Sequence, residues 1–480
     1  MNISENQINS IVEQVIKQIK GNNKNEHNKL ASSCSTSTKE IGSYSNADHA
    51  IKAAYKAHDA LLDLGLKKRD DIITAIRHRV RANIEYLSRL AVEETGLGNI
   101  PDKIQKNRLV ANKTPGTEIL RSNSYSDDHG LMIMERAAYG VIASITPCTN
   151  PSETIINNSI GMIAGGNSVV FNPHPTAKKT SIETVRILNE AILSVGGPEN
   201  LVTTISDPTI ESANELMKHP DVRLLVVTGG PAVVKVAMNS GKKVIAAGPG
   251  NPPVIVDETA DIELAAKGIV NGASFDNNII CTCEKEIIVV DSIASSLKQV
   301  MKNYGAYELK GQQIKRVTDL IMLDEGKPGC AGHVKKEFVG KSARYILEKA
   351  NIDVDDTVKL AIMDVPSDHP LVWTEQLMPI MPLVRVSNVD DAIDFAIKVE
   401  QNNRHTAVMY SQNVTKLSKM ARLVNASIFV KNGPHYSGLG FDGPGYTSFT
   451  IASPTGEGLT TALNFTRERR CSLIDGFRIV

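Results

Sequence analysis

Residues 139–147, YGVIASITP, are the first of five short β-rich runs that alternate with helical stretches up to about residue 248. The other four runs are NSVVFNP at 167–173, LVTTIS at 201–206, RLLVVTGG at 223–230 and KKVIAAG at 242–248. Strands joined by helical crossovers are typical of an α/β fold with a parallel, doubly wound sheet. A ligand of such a sheet binds at the carboxyl ends of the strands, so we expect the functional site where these runs end.

A second α/β region is predicted from residue 249 to 435. It opens with PPVIVDE at 252–258, and the helical stretch DIELAAKGIVNGASFD at 261–276 precedes the strand KEIIVVD at 285–291. Between that helix and that strand lies NNIICTCEK, residues 277–285, which carries two cysteines one residue apart. We therefore expect the two thiols in a loop of this second region.

The first twenty residues predict an amphipathic helix, because their apolar residues recur at the spacing that places side chains on one helical face. These residues are Ile8, Ile11, Val12, Val15, Ile16 and Ile19. Residues 21–40 are polar and are predicted to form a flexible linker. A short helix on such a linker cannot bury its apolar face against its own tether, so we expect it to bind another surface. The alternative is that it folds back onto the body of the protein.

The composition argues against several classes of protein. Lys plus Arg and Asp plus Glu are both 53, so we expect no nucleic-acid partner. Six cysteines in 480 residues lack the density of a disulfide scaffold. No apolar run approaches the roughly 18 residues that span a bilayer, and the N-terminus lacks a secretory signal. We therefore expect a soluble, intracellular protein that binds no membrane.

Two phosphate-binding motifs are incomplete in this sequence. VGKSA at 339–343 resembles the end of a Walker loop, but Lys335 stands where its first glycine is required. No G-x-G-x-x-G follows the first strand, so an ordinary Rossmann fingerprint is absent and any nicotinamide cofactor would have to be held in another way. In VVTGGPAVV at 226–234, Gly229 and Gly230 join a strand to a helix, and their amides are placed to face a pyrophosphate. A tight turn without a ligand explains the same pair of glycines.

The residues alone leave the role of the two thiols open. A metal site needs further ligands, and cysteines one residue apart form a strained disulfide. Cys281 and Cys283 are therefore read either as a nucleophile with a neighbour or as buried, inert thiols.

Five stretches together resemble the coenzyme-A-acylating aldehyde dehydrogenases of bacterial microcompartments, the propionaldehyde and acetaldehyde dehydrogenases. The stretches are ERAAYGVIASITPCTNPSETIINNSIGMIAGGNSVVFNPHP, VVTGGPAVVKVA, GASFDNNIICTCEK, EQLMPIMPLVRV and TGEGLTTALNFTRERRC. They occur in the family's order from about residue 41 to the end. The N-terminal helix and linker resemble the peptides that carry such enzymes into the compartment.

This resemblance implies that Cys281 is the nucleophile and that Cys283 packs in the interior. The thiolate attacks an aldehyde carbonyl, and the resulting oxyanion needs fixed donors, which the family places at the Asn150 side chain and the Cys281 backbone amide. Hydride then passes to NAD, with NADP not excluded, and an acyl group remains on sulfur. His405 resembles a histidine near the thiol and is a candidate base for Cys281 or for an incoming thiol. No metal ion is implied.

The acyl acceptor follows from a missing carboxylate. Hydrolytic relatives carry a glutamate in an E-L-G-G-K motif that activates water, whereas this chain has Ala247 there and no acidic residue from Val244 to Val256. We therefore expect a thiol pocket in which no acidic side chain activates water, and coenzyme A as the acceptor. The rivals are a hydrolytic dehydrogenase and a non-catalytic cargo or scaffold protein of the compartment.

The cofactor contacts are less regular. The K-P-x-E motif of hydrolytic enzymes is replaced by Asn172 to Pro175, while Glu375 matches a glutamate that positions the nicotinamide ribose. The cofactor-binding residues that the resemblance implies are Thr149, Asn172, Pro173, His174, Thr228, Gly229, Gly230 and Glu375.

The resemblance also implies an aldehyde dehydrogenase-like fold with three parts. We expect a nucleotide-binding domain at 41–118 and 135–248, an α/β catalytic domain at 249–435, and a small β oligomerisation arm with the C-terminal segment at 119–134 and 436–480. The implied partners are a short-chain aldehyde, coenzyme A, a shell protein bound through residues 1–20, and further copies of the chain in a dimer or tetramer. The implied location is cytoplasmic, inside a bacterial microcompartment.

Overall fold

The computed structural model describes residues 41–480, so the predicted helix at 1–20 and linker at 21–40 lie outside the described residues. The strands in chain order are β1 (Ser43–Tyr44), β2 (Asn123–Asp127), β3 (Gly130–Ala138), β4 (Val141–Thr146), β5 (Ser168–Pro173), β6 (Val202–Ile205), β7 (Val222–Thr228), β8 (Lys243–Ala247), β9 (Pro253–Val256), β10 (Glu286–Val290), β11 (Ala306–Leu309), β12 (Met322–Asp324), β13 (His333–Val334), β14 (Leu360–Asp364), β15 (Ile380–Val386), β16 (Thr406–Tyr410), β17 (Ile428–Lys431), β18 (Ile451–Ala452), β19 (Gly458–Leu459) and β20 (Thr466–Ile474).

The α-helices in chain order are α1 (Ala47–Leu62), α2 (Gly65–Ala82), α3 (Ile84–Thr95), α4 (Ile100–Lys113), α5 (Pro151–Ala164), α6 (Lys178–Ser194), α7 (Ile210–Lys218), α8 (Pro231–Met238), α9 (Ile262–Ser274), α10 (Asp291–Asn303), α11 (Gln312–Ile321), α12 (Ala343–Lys349), α13 (Val389–Val399) and α14 (Val414–Val424). Short 3-10 helices are Thr117–Ile119, Pro175–Ala177, Phe275–Asn278, Lys336–Phe338, Pro370–Val372 and His435–Leu439. Within residues 41–480, no helix is both long enough and apolar enough to cross a bilayer.

The first sheet is parallel and has the strand order β1-β6-β5-β4-β7-β8. The five strands predicted from the sequence are β4 to β8, so the doubly wound sheet is confirmed. From β4 the chain adds β5 and β6 on one side and then returns to place β7 on the other side. The strand order therefore reverses between β4 and β7, which is where such sheets bind ligands. The edge strand β1 was not predicted, because two residues are too short to show a periodicity.

Helices cover both faces of this sheet, and its central strand β4 is buried along its whole length. Along β4, Val141, Ala143 and Ile145 pack into a cluster with residues of α1 and α7. Ile142 points to the opposite face and packs with residues of α2, α5 and α6. This alternation is the two-residue period of a strand that is buried on both sides.

The second sheet is also parallel and has the order β11-β14-β15-β10-β9-β16-β17. It contains the predicted strands β9 and β10, with the predicted helix α9 before β10. The thiol loop therefore lies between a helix and a central strand, as expected from the sequence.

A third sheet is antiparallel and has the order β2-β3-β20. Strands β3 and β20 pair from Ala138 with Thr466 to Gly130 with Ile474, and most of β2 and β20 is exposed. The part of the C-terminal segment before β20 packs on the core, because Phe449 and Phe465 are buried there.

Candidate active site

A cavity of about 220 Å³ lies where the carboxyl ends of β4, β7 and β8 approach the thiol loop. The sequence predicted a ligand at these carboxyl ends, and the cavity also lies at the point where the strand order reverses. The predicted site residues that line it are Thr149, Asn150, Thr228, Gly229, Gly230, Cys281 and Glu375. The structure therefore brings the thiol, the amide donor and the glycine turn to one cavity.

The turn from β7 to α8 fits a phosphate group. Gly230 immediately precedes α8, and a Cβ at this position would meet no atom within 4 Å. A Cβ on Gly229 would lie 2.9 Å from Val233 Cγ1, so the turn is tight there. The first N–H groups of a helix have no partner within the helix and carry a partial positive charge, which favours an anion. Gly229 therefore closes a tight turn and Gly230 leaves room beside the helix N-terminus, and the contact with a pyrophosphate stays a prediction.

Three predicted cofactor residues do not line this cavity. Asn172 and Pro173 end β5, the neighbour of β4 in the sheet, and His174 directly follows it. The Oδ1 atom of Asn172 accepts a hydrogen bond of 2.6 Å from the hydroxyl of Ser212 on α7. His174 is exposed, and its Nδ1 accepts from the backbone N–H of Thr176 at 3.3 Å. These side chains lie at the same edge of the sheet, one strand away from the cavity.

The loop that carries Cys281 has an unusual backbone. Asp276, Asn277 and Asn278 all have positive φ, at 47°, 52° and 65°. Asp and Asn adopt this left-handed region with less strain than other side chains do, which explains their choice here. The Nδ2 group of Asn278 donates to the carbonyl oxygens of Ala273 at 2.8 Å and Glu284 at 3.0 Å. These bonds join the two ends of the loop around the thiol.

The Cys281 thiol is partly exposed to the cavity and is hard to ionise. Burial, and after it the Glu375 carboxylate, raise its pKa to about 12. Lys285, the backbone N–H of Cys281 and Lys106 oppose this shift. Because the thiolate is the nucleophile, the thiol needs a base or an added positive charge to react at neutral pH.

The neighbouring Cys283 is fully buried in the apolar core, and its Sγ lies 3.9 Å from the carbonyl oxygen of Phe275. The prediction that Cys283 packs in the interior is therefore confirmed.

An acidic side chain, that of Glu375, lies in the thiol pocket, so the expectation that no acidic side chain there activates water stays a prediction. Glu375 lines the same cavity as Cys281, and its charge acts on the thiol. Ala247 also lines the cavity, so the position without a carboxylate does face the site. Burial raises the pKa of Glu375, and Lys285 and the N–H of Gly250 oppose the shift. Sequence reasoning assigned Glu375 to the ribose and did not consider its distance from sulfur, which depends on how two distant segments pack.

The candidate base His405 does not line the cavity. Its ring is fully buried, and its Nδ1 lies 2.9 Å from the hydroxyl of Thr406. A Cβ on Gly250 would lie 2.9 Å from His405 Cγ and 3.1 Å from the carbonyl oxygen of Cys281, so only glycine fits between them. Burial lowers the pKa of His405 to about 4, with Lys285 contributing, so the ring is neutral at pH 7.

Sequence reasoning missed a buried ionic cluster behind Asn150. Lys106 Nζ donates to Asn150 Oδ1 at 2.5 Å, and Lys103 Nζ donates to the carbonyl oxygen of Thr149 at 3.0 Å. Both ammonium groups contact Oδ2 of Asp276, Lys103 at 3.2 Å and Lys106 more closely. The Lys103, Lys106 and Asp276 side chains are fully buried. A signal existed in the sequence, because Lys103, Lys106 and Val110 recur on one face of α4.

Comparisons with known proteins identify the family to which this chain belongs. The sequence model described as "Aldehyde dehydrogenase family" matches residues 22–443. An acetaldehyde dehydrogenase (acetylating) from Bilophila wadsworthia is 48% identical over 446 residues, covering 92% of each chain. A propionaldehyde dehydrogenase from Rhodopseudomonas palustris, solved with bound CoA and an acylated cysteine, is 50% identical with a TM-score of 0.88, covering 92% of this chain and 99% of that one.

A third similar protein is a propionaldehyde dehydrogenase from the Clostridium phytofermentans fucose utilisation bacterial microcompartment. It is 46% identical with a TM-score of 0.89, and the match covers 92% of this chain and 100% of the other.

The environment of Cys281 makes a prediction about its reactivity in the protein without ligands. Because the thiol is mostly protonated at neutral pH, its alkylation by iodoacetamide should be slow at pH 7 and should rise about tenfold for each pH unit up to pH 10, without a plateau. Peptide mass spectrometry measures the rate for each cysteine. Exposed Cys330 reports the unhindered reaction in the same sample, and buried Cys283 should stay unmodified. A plateau for Cys281 below pH 8 would contradict the strongly raised pKa.

Proposed function

Because the chain belongs to the aldehyde dehydrogenase family, we propose that it oxidises a short aliphatic aldehyde and transfers the acyl group to coenzyme A. The aldehyde is propionaldehyde or acetaldehyde, the oxidant is NAD(P), and the product is acyl-CoA. Relatives that match nearly the whole chain are acetylating or propionaldehyde dehydrogenases, which favours this reaction over hydrolysis. The observation that carries the proposal is the Cys281 thiol in one cavity with the Asn150 amide and the Gly229–Gly230 turn.

The groups in the cavity act in successive steps of the proposed reaction. Cys281 forms a bond from sulfur to the aldehyde carbon, and the carbonyl oxygen gains the negative charge. The Asn150 Nδ2 group and the backbone N–H of Cys281 donate to that oxygen. Gly229 and Gly230 would hold the dinucleotide, and a nicotinamide bound there would supply the acceptor for the hydride that leaves the same carbon. The acyl group then remains on Cys281 as a thioester, and the coenzyme A thiol displaces the sulfur of Cys281.

We retain His405 as the proposed proton acceptor. Its ring is neutral at pH 7, its Nε2 has no hydrogen-bond partner among the described residues, and it lies behind Gly250 next to the main chain of Cys281. Among the described residues that line the cavity, Cys281 and Glu375 are the two with titratable side chains. We propose that Glu375 positions the ribose, and it is also the residue on which a hydrolytic reaction would depend.

The acyl acceptor is tested by the dependence of NADH formation on coenzyme A. Without coenzyme A, the protein should form about one NADH per active site and then stop, because no group removes the acyl chain efficiently. With coenzyme A, turnover should continue. Cys281→Ser should abolish both phases, whereas Cys283→Ala, which alters the neighbouring buried thiol, should retain them.

Continued turnover at the full rate without coenzyme A would contradict the acylating reaction. In that event Glu375→Gln identifies the base, because it should suppress hydrolysis if the Glu375 carboxylate activates water. Ala247→Glu is the comparison, because it supplies a carboxylate at a second position of the cavity lining.

We propose that residues 1–20 bind a shell protein and carry the enzyme into a microcompartment. The apolar series from Ile8 to Ile19, the polar linker behind it and the relative from a bacterial microcompartment support this proposal. Membership of the aldehyde dehydrogenase family argues against the alternative of a non-catalytic scaffold.

Deletion of residues 1–20 should leave the kinetic constants unchanged and abolish co-purification with shells, because the apolar face is the binding surface. Ile16→Lys on that face should have the same effect, and Gln14→Lys on the opposite face is the matched control. Cys281→Ser should retain shell association. Undiminished association of the deletion variant would refute the role of this segment.

We also propose that the antiparallel sheet joins copies of the chain into a dimer or tetramer. Directly opposed residues of antiparallel strands point to the same face, and the pairs Leu131 with Leu473 and Ile133 with Cys471 place four apolar or weakly polar side chains on one face. Leu473 and Ile133 are exposed within the single chain. Within residues 41–480, strand β20 pairs only with β3, so its outer edge offers unpaired backbone groups to another strand.

Leu473→Asp should therefore shift the protein to a smaller species in sedimentation velocity, because it places a charge on the proposed interface. Leu323→Asp, at another exposed apolar residue outside this sheet, is the matched control and should leave the sedimentation coefficient unchanged. An unchanged oligomer in the Leu473→Asp variant would exclude this face.

A further inference from the structure

The buried cluster behind Asn150 is poorly explained as a source of stability. Lys103 and Lys106 lie one turn apart on α4, and their ammonium groups share Asp276, with Glu153 Oε1 3.6 Å from Lys106. All four side chains are fully buried. Buried ion pairs are often no more stabilising than apolar side chains of the same size, because each charge loses its hydration. A cluster of this kind beside a reactive thiol therefore suggests a role in the site.

The contact between Lys106 and Asn150 determines which way the amide points. An ammonium group only donates hydrogen bonds, so the Asn150 atom that it contacts must be the oxygen. The Nδ2 group then lies on the other side, where it donates to the Thr149 hydroxyl at 3.2 Å beside the cavity. A rotated amide would present its oxygen there and would repel a developing oxyanion.

Asn150 also gives up a contact that asparagine usually makes at this position. It immediately precedes α5, where an asparagine oxygen normally accepts a bond from the first backbone N–H groups of the helix. Asn150 makes no such bond, because Lys106 occupies its Oδ1 atom. The Asn150 side chain therefore does not cap the helix, and its Nδ2 group is directed towards the cavity.

The same cluster fixes the thiol loop. Asp276 is the first of the three left-handed residues that lead to Cys281, and its Oδ1 accepts from the Asn99 N–H at 2.8 Å. Burial lowers the pKa of Lys106, but Asp276 and Glu153 together outweigh this effect and raise it, so the ammonium stays charged. One charged group thus contacts both the segment with Asn150 and the segment with Cys281.

We propose that Lys106 is a positioning residue for aldehyde oxidation, which holds Asn150 so that its NH2 group faces the carbonyl oxygen under attack by Cys281. This inference rests on the proposed function.

The first turnover of NADH formation, measured without coenzyme A by rapid mixing, tests this role. This step precedes acyl transfer, so its result does not depend on whether coenzyme A or water removes the acyl group. Absence of any NADH in the unmodified protein would instead refute the proposed function itself. Lys106→Met should slow the first turnover by about 10- to 100-fold, with little change in the half-saturating aldehyde concentration. This decrease in rate is smaller than the decrease expected when an oxyanion donor is removed.

Two variants separate positioning from a general loss of structure. Lys106→Gln should recover part of the rate, because its amide N–H can donate to Asn150 Oδ1. Lys103→Met removes an equally buried ammonium from Asp276. Lys103 donates to the main-chain oxygen of Thr149 and not to the Asn150 side chain, so the effect of this variant should be smaller. Equal losses in Lys103→Met and Lys106→Met would overturn the proposal.

A double-mutant cycle with Asn150→Ala gives the sharpest test. If Lys106 acts through the Asn150 amide, Lys106→Met should change the rate by no more than about twofold when Asn150 is already alanine. The full effect of Lys106→Met in that background would overturn the proposal. Circular dichroism and the thermal unfolding midpoint check the fold, and the same cycle with Lys106→Gln replaces this one if Lys106→Met does not fold.

Discussion

The ionic contact between Asp276 and the two lysines of α4 joins this helix to the loop that carries the thiol. Removal of one partner from a buried ion pair costs about 3–5 kcal/mol, because the remaining charge is left without compensation. Loop and helix are therefore held together tightly. The left-handed backbone at Asp276, Asn277 and Asn278 requires such support, because its strain has to be balanced by the surrounding structure.

The two parallel sheets contribute different parts of the cavity. The first sheet supplies the ends of β4, β7 and β8 at the place where its strand order reverses. The second sheet supplies Cys281 from the loop before β10 and Glu375 from the segment before β15. Neither sheet alone places a nucleophile beside a site for a dinucleotide. The chemistry therefore depends on the packing between the two regions, of which the Asp276 cluster is a part.

The sequence predicted the parts of the structure that have a clear periodicity or a fixed turn. The five strands β4 to β8, the helix before the thiol and the glycine turn are local patterns and were confirmed. Lys103 and Lys106 were not identified as interior residues, because lysine on a helix is usually solvated and only the three-dimensional structure shows Asp276 opposite them. The place of Glu375 beside Cys281 was missed for a similar reason: 94 positions separate the two residues in the sequence numbering.

The methyl group of Ala247 on the cavity wall has a consequence for cell energetics. If a glutamate there activated water, the acyl group would leave as the free acid, and the free energy released by oxidation would be lost as heat. With coenzyme A as the acceptor, much of that free energy remains in a sulfur ester that later enzymes can use for phosphorylation or for carbon–carbon bond formation. A side chain of one carbon atom at this position thus bears on whether the aldehyde is merely detoxified or also serves the cell as fuel.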